Sequence, residues 1–237
     1  HVHHAIDIIN DKSDGLFDNL LPNAIIVPRE ATAGCEDGRA GGALDVLRSA
    51  MPTAMSAVIG PGCSGDVAAL SRGRSDLAFI SGSSTASSLR NELTYPAVAR
   101  TVTEDAHSAK AVEALASLYD WSKVGVIHQN TMWAREAASG FIRQLKSDNP
   151  DATILNERSM EFTHSVNNTI DTNALLSQLE ASGARIIFLA AEPSAMRDLF
   201  ATVYRQDRLY GVGYAWLLAG ISDDTFRNED GTVNTDA

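Results

Sequence analysis

The chain has 237 residues, of which 44% are hydrophobic and 21% charged. That balance excludes a disordered chain and leaves room for one or two packed domains. Nineteen Lys and Arg against thirty Asp and Glu give a net charge of −11, and no basic cluster interrupts the acidic surplus, which argues against a phosphate-backbone binder. The longest apolar runs, the IIFLAA that follows Arg185 and the segment 215–219, fall far short of the roughly 20 residues a membrane span needs.

In chain order, Val2, Ala5, Ile6 and Ile9 recur at helical spacing and predict a helix over 2–11. Residues 23–28 (NAIIVP) predict a strand, and 38–50 a helix stopped by Pro52. A strand at 56–60, a helix at 64–72 and a strand at 77–81 follow. The stretch 95–103 (YPAVARTVT) reads as extended. Ala109, Val112, Leu115, Ala116 and Tyr119 mark one face of a long helix over 104–119. Then come a strand at 123–128, a helix at 133–146, an extended segment at 153–162, a helix at 173–182, a strand at 185–190, a helix at 194–206 and a strand at 213–219.

Strands separated by helices imply crossover connections and parallel sheets with helices on both faces, an α/β fold. Continuous apolar strands such as RIIFLAA fit burial on both sides. The extended stretch before the longest helix divides the chain into two α/β lobes, 1–102 and 103–237, with a hinge at Val102–Glu104. The first helix has no strand before it, the last strand runs into a polar tail, and residue 1 is His rather than Met. The chain is therefore read as a piece of a longer product, truncated at both ends.

Gly60-Pro61-Gly62-Cys63-Ser64-Gly65 satisfies GxGxxG between a strand and a helix, the context of a dinucleotide fingerprint. The next strand should then end in a ribose-binding acid. It ends in Ser81-Gly82-Ser83-Ser84, and Asp76 lies at its other edge, which argues against a nucleotide. A second reading keeps only the helix end. First-turn amides attract an anion, Ser64 caps the helix and offers its hydroxyl, and the next strand brings Ser83, Ser84 and Thr85 to the same crevice. That set suits a small carboxylate. A capped helix beside a flexible serine loop fits the same residues. His107, His128 and His164 have no Ser/Asp partners in sequence, so no catalytic constellation, metal site or cofactor is expected. His1, His3 and His4 read as a solvated end. Cys35 and Cys63 form either one disulfide or two buried thiols. Asn167-Asn168-Thr169 is a glycosylation sequon in a polar stretch.

The stretches IGPGCSGDVAAL, FISGSSTASSL and YPAVARTV together resemble the ligand-binding ectodomain of class C receptors, within the type I periplasmic-binding-protein superfamily. The stretch from ARIIFLAAEPSAM to YAWLLAG is similar to the second lobe of the GABA-B receptor Venus-flytrap domain. The resemblance implies a clamshell on the extracellular side of the plasma membrane. It would bind an amino acid or related carboxylate, without enzymatic activity, in a parent protein that is membrane-anchored and dimerises through lobe one. It pairs Cys35 with Cys63. It places Ser64 on the ligand carboxylate and Thr85, or Ser84, as the second hydroxyl. Gln129, Asn130 and Glu192 face the ligand from lobe two. Three positions depart from the family: Val102 stands where a histidine is expected, Glu192 where a tyrosine is, and Ile221 where a tryptophan is. Glu192 offers a charge for an amino group instead. The alternatives are a solute-binding protein of an amino-acid transporter, a ligand-silent receptor subunit, or a nucleotide-dependent enzyme.

Overall fold

The computed structural model describes residues 2–28, 30, 55–155, 159–164 and 172–220. The helix expected over 38–50, Cys35, the sequon at Asn167 and Ile221 lie outside the described residues. Helix α1 spans Val2–Asn10. The first sheet contains β1 (Ala57–Ile59), β2 (Ala78–Ser81) and β3 (Val98–Arg100), in that order and all parallel. Helix α2 (Ser64–Gly73) joins β1 to β2. A 3-10 turn at Ser87–Arg90 lies on the way to β3.

The second sheet carries β4 (Lys123–Gln129), the short β5 (Thr153–Ile154) and β6 (Met160–Phe162), β7 (Ile186–Ala190) and β8 (Ala215–Ala219). Both β5 and β6 pair with one edge of β4, and β7 pairs with the other, so the order is β5/β6-β4-β7-β8, all parallel. Helices α3 (Asp105–Leu118), α4 (Met132–Asp148), α5 (Thr172–Ala181) and α6 (Pro193–Arg205) complete this unit.

The period of two along the strands sorts the core onto two faces. Val124, Val126, Phe188 and Ala190 point to one face, where Ala109 and Ala116 of α3 and Ala138, Phe141 and Leu145 of α4 cover them. Ile127, Ile187 and Leu189 point to the other, against Leu175, Leu176 and Leu179 of α5 and Met196, Leu199 and Val203 of α6. Phe141 stacks on Phe188 with centroids 4.4 Å apart. The result is a three-layer α/β unit, the architecture expected from the strand–helix alternation.

Three expectations are corrected. Residues 24–28 are not a strand: the Asn10 side chain takes both backbone groups of Ile26, donating to its carbonyl at 2.8 Å and accepting from its N–H at 2.7 Å. The stretch 95–103 is not merely a crossing, because Val98–Arg100 pairs with β2 as the third strand of the first sheet. The N-cap of α2 is Cys63, not Ser64, and no side chain caps that helix.

Candidate functional site

Chain direction places two crevices at the carboxyl ends of the sheets, where α/β folds bind ligands. In the first, Gly60 takes a φ of +103 and opens the turn into α2. Glycine adopts that conformation without steric cost. Ser64 begins α2 and is buried, at 2% exposure. Its Oγ accepts the N–H of Ala86 at 3.1 Å, so this hydroxyl ties the serine loop to the helix. Ser84 is fully buried, and its Oγ donates toward the Gly62 carbonyl at 3.0 Å. Ser81 Oγ donates to Ser84 Oγ at 2.8 Å and lies 2.8 Å from the Pro61 carbonyl oxygen. Ser83 is exposed, and its Oγ donates to the Gly62 carbonyl at 3.1 Å. Thr85, half-buried, donates its hydroxyl to the Asp105 carboxylate. The hydroxyls of Ser64, Ser83, Ser84 and Thr85 lie on two neighbouring segments, and each is engaged within the protein as a fastener. What α2 offers toward the crevice is its uncapped first turn. Within that turn Asp66 is buried, and burial pushes its carboxyl above the usual range.

The second crevice lies between β4 and β7. The chain leaves β4 through α4 to reach β5 and β6 on one side, then crosses through α5 to β7 on the other. This is a topological switch point. Gln129 ends β4, is buried, and accepts the backbone N–H of Glu192 on Oε1 at 2.8 Å. Glu192 is the residue before α6, with Pro193 in that helix's first turn, so its carboxylate sits at the positive end of the helix dipole. Trp133 Nε1 donates to Glu192 Oε1 at 2.5 Å. Asn130 points elsewhere: Arg135 Nη2 donates to its Oδ1 at 2.6 Å, beside Glu161. His128 is buried, with Nδ1 3.1 Å from the Gln129 carbonyl oxygen.

The crevices meet at the start of α4. A Cβ placed on Gly65 would lie 3.9 Å from Met132 Cβ. Met132 and Trp133 pack against the first-unit cluster of Val67, Ala68, Ala86, Leu89 and Tyr95. Beside this junction, Glu136 Oε2 of α4 accepts the backbone N–H of Ser88 at 2.8 Å. Asp105 at the start of α3 is also buried there, and its Oδ2 is among the buried oxygens without a partner. Burial, with the Glu136 and Glu104 carboxylates nearby, pushes its carboxyl up to about 6 against the hydrogen bond from Thr85 and the charge of Arg100. Sequence reasoning missed Trp133, Glu136 and Asp105. Nothing in a helical pattern distinguishes an apolar residue that bonds across the sheet from one that fills the core.

Asp105→Asn follows directly from that environment. A carboxyl raised from 3.8 to about 6 costs nothing below pH 3.8, where both states are protonated. Its cost grows between the two values and is full above pH 6. The variant should therefore be more stable than the parent by about 2–3 kcal/mol at pH 8 and nearly equal to it near pH 3.5. Urea unfolding at the two pH values reads this directly, and a gap that does not change with pH rejects it.

Among the described residues no group of three or more His, Cys, Asp or Glu is arranged to hold a metal ion. None of their helices is long and apolar enough to cross a membrane. A family model described as the receptor family ligand binding region matches residues 2–235. No curated protein matches the chain.

Proposed function

Because this chain belongs to the receptor family of ligand binding regions, we propose that it is the extracellular ligand-binding domain of a GABA-B-like class C signalling receptor. In this reading lobe one (1–102) and lobe two (103–237) close on a small amino-acid-like ligand. The uncapped first turn of α2 takes the ligand carboxylate, assisted by Ser64, Ser83, Ser84 and Thr85. Glu192 faces it from lobe two and takes the amino group, its backbone braced by Gln129, while Asn130 is turned to Arg135 and stays outside the contact. The observation that carries the reading is the junction at the start of α4: Met132 lies against Gly65 of α2, while its neighbour Trp133 holds the Glu192 carboxylate. An anion-attracting helix end and a carboxylate on one junction match the two charges of an amino acid.

A second reading, a ligand-silent subunit that only transmits closure, is favoured by the burial of Ser64 and Ser84, whose hydroxyls are engaged within the protein. Calorimetric titration with a panel of amino acids, short dicarboxylates and simple amines separates the two. The ligand-binding reading expects saturable heat from a molecule carrying both charges and weaker heat from either charge alone. No heat from any probe supports the silent subunit. A solute-binding protein of a transporter shares the site chemistry and differs in what adjoins the domain. The proposal also pairs Cys35 with Cys63, as suits an oxidising compartment. Intact mass after alkylation without reduction should show no label, and two labelled thiols would reject the pairing.

A further inference from the structure

We propose that Trp133 is a positioning residue that couples the state of Glu192 to the packing between the two α/β units. Three observations converge on its indole. Nε1 donates to Glu192 Oε1 at 2.5 Å across 59 positions of sequence. The ring lies flush on Gly220 after β8, where an added Cβ would come 2.5 Å from Cη2 and 2.7 Å from the Ala191 carbonyl oxygen. The ring also packs at once on the apolar cluster of the second sheet and on the Val67–Tyr95 cluster of the first unit.

Each of these constrains the others. The Glu192 backbone is fixed by Gln129, so its carboxylate can move only by side-chain torsion. The indole N–H has one strong acceptor, and an ionised carboxylate accepts more strongly than a neutral group. Anything that neutralises or draws away that carboxylate loosens the ring's tether at the end nearest β7 and β8. The same ring packs against the cluster to which α2 contributes Val67 and Ala68, so the change reaches the first unit without any movement of the sheet. A cationic group held by Glu192 is such an agent, and in this respect the inference rests on the proposed function. The coupling itself does not.

The coupling is tested without ligand by amide hydrogen exchange of the whole chain, using Glu192→Gln, Trp133→Phe and the double variant. Glu192→Gln keeps shape and removes charge. Trp133→Phe keeps an aromatic ring and removes the donor. Each single variant should speed exchange in α2 several-fold while leaving α5, on the far face of the second sheet, unchanged. The double variant should exchange no faster than the faster single variant, since both cut one link. Unchanged α2 exchange in Glu192→Gln, or additive effects in the double variant, overturns the inference. Indole N–H signals give a second readout that survives a poorly folded Trp133→Phe. The chain has three tryptophans, and only the Trp133 signal should move in Glu192→Gln. No movement there also overturns it. Adding glycine as a probe then addresses the ligand reading separately. A shift of the Trp133 signal supports Glu192 as the amine site. No shift, with the exchange coupling intact, rejects that site and leaves the coupling standing.

Discussion

Gly220→Ala should destabilise the protein by about 2–4 kcal/mol, combining backbone strain with overpacking. Gly220 has a φ of +92, and its missing Cβ would meet the Trp133 ring at 2.5 Å and the Ala191 carbonyl oxygen at 2.7 Å. The carbonyl belongs to the chain leaving β7 and has no rotamer with which to retreat. The indole can retreat only by giving up Nε1–H···Glu192 and its place between the two clusters. Gly213 supplies the control. Its φ is +88, and nothing lies within 4 Å of an added Cβ. Gly213→Ala therefore isolates the backbone cost, about 1–2 kcal/mol. Urea unfolding of the two variants gives the difference. A Gly220→Ala protein no less stable than Gly213→Ala would mean that the ring is not held against Gly220.

The parts legible in the sequence are those governed by local pattern. KVGVIHQ and RIIFLAA are apolar without alternation because β4 and β7 are central strands covered on both faces. The position of Glu192 is legible for a related reason, since a residue that follows a central strand and precedes a Pro-started helix must lie at the sheet's carboxyl edge. The misses arise where a side chain replaces a backbone partner or a long-range interaction decides. The pattern of 23–28 is a strand pattern, but Asn10 satisfies Ile26 as a neighbouring strand would. Val98–Arg100 is too short to show a period, and Pro96 two residues earlier disguises it as a connection. Ser64 has the residue type of a cap, but the cap position falls one residue earlier, at Cys63, and that shift turns its hydroxyl from α2's own amides to the loop amide of Ala86.

That shift changes what Ser64→Ala should do. A lost cap costs about 1 kcal/mol and leaves its orphan amide near solvent. Here the serine is 2% exposed and its hydroxyl accepts the buried N–H of Ala86, so alanine strands a donor in the interior at a cost of about 1–3 kcal/mol. The loss should spread along the serine loop, because Ala86 directly follows Ser84 and Thr85, which hold Gly62 and Asp105 in turn. Ser83→Ala separates this from a general effect of removing a hydroxyl. Ser83 is exposed, and water replaces it at the Gly62 carbonyl, so its change should stay within about 0.5 kcal/mol. For binding, the proposed site expects Ser64→Ala to weaken a carboxylate-bearing ligand by roughly tenfold to a hundredfold, the worth of one hydrogen bond to a charged acceptor. The two effects have different signatures. If the Ser64 hydroxyl bonds the ligand directly, alanine weakens carboxylates and leaves simple amines untouched. If it only braces the loop, alanine weakens every probe together, in parallel with the fall in stability. Unfolding and calorimetry on the same variant therefore decide whether Ser64 touches the ligand or only holds the wall beside it, and affinity unchanged for every carboxylate would place the ligand elsewhere.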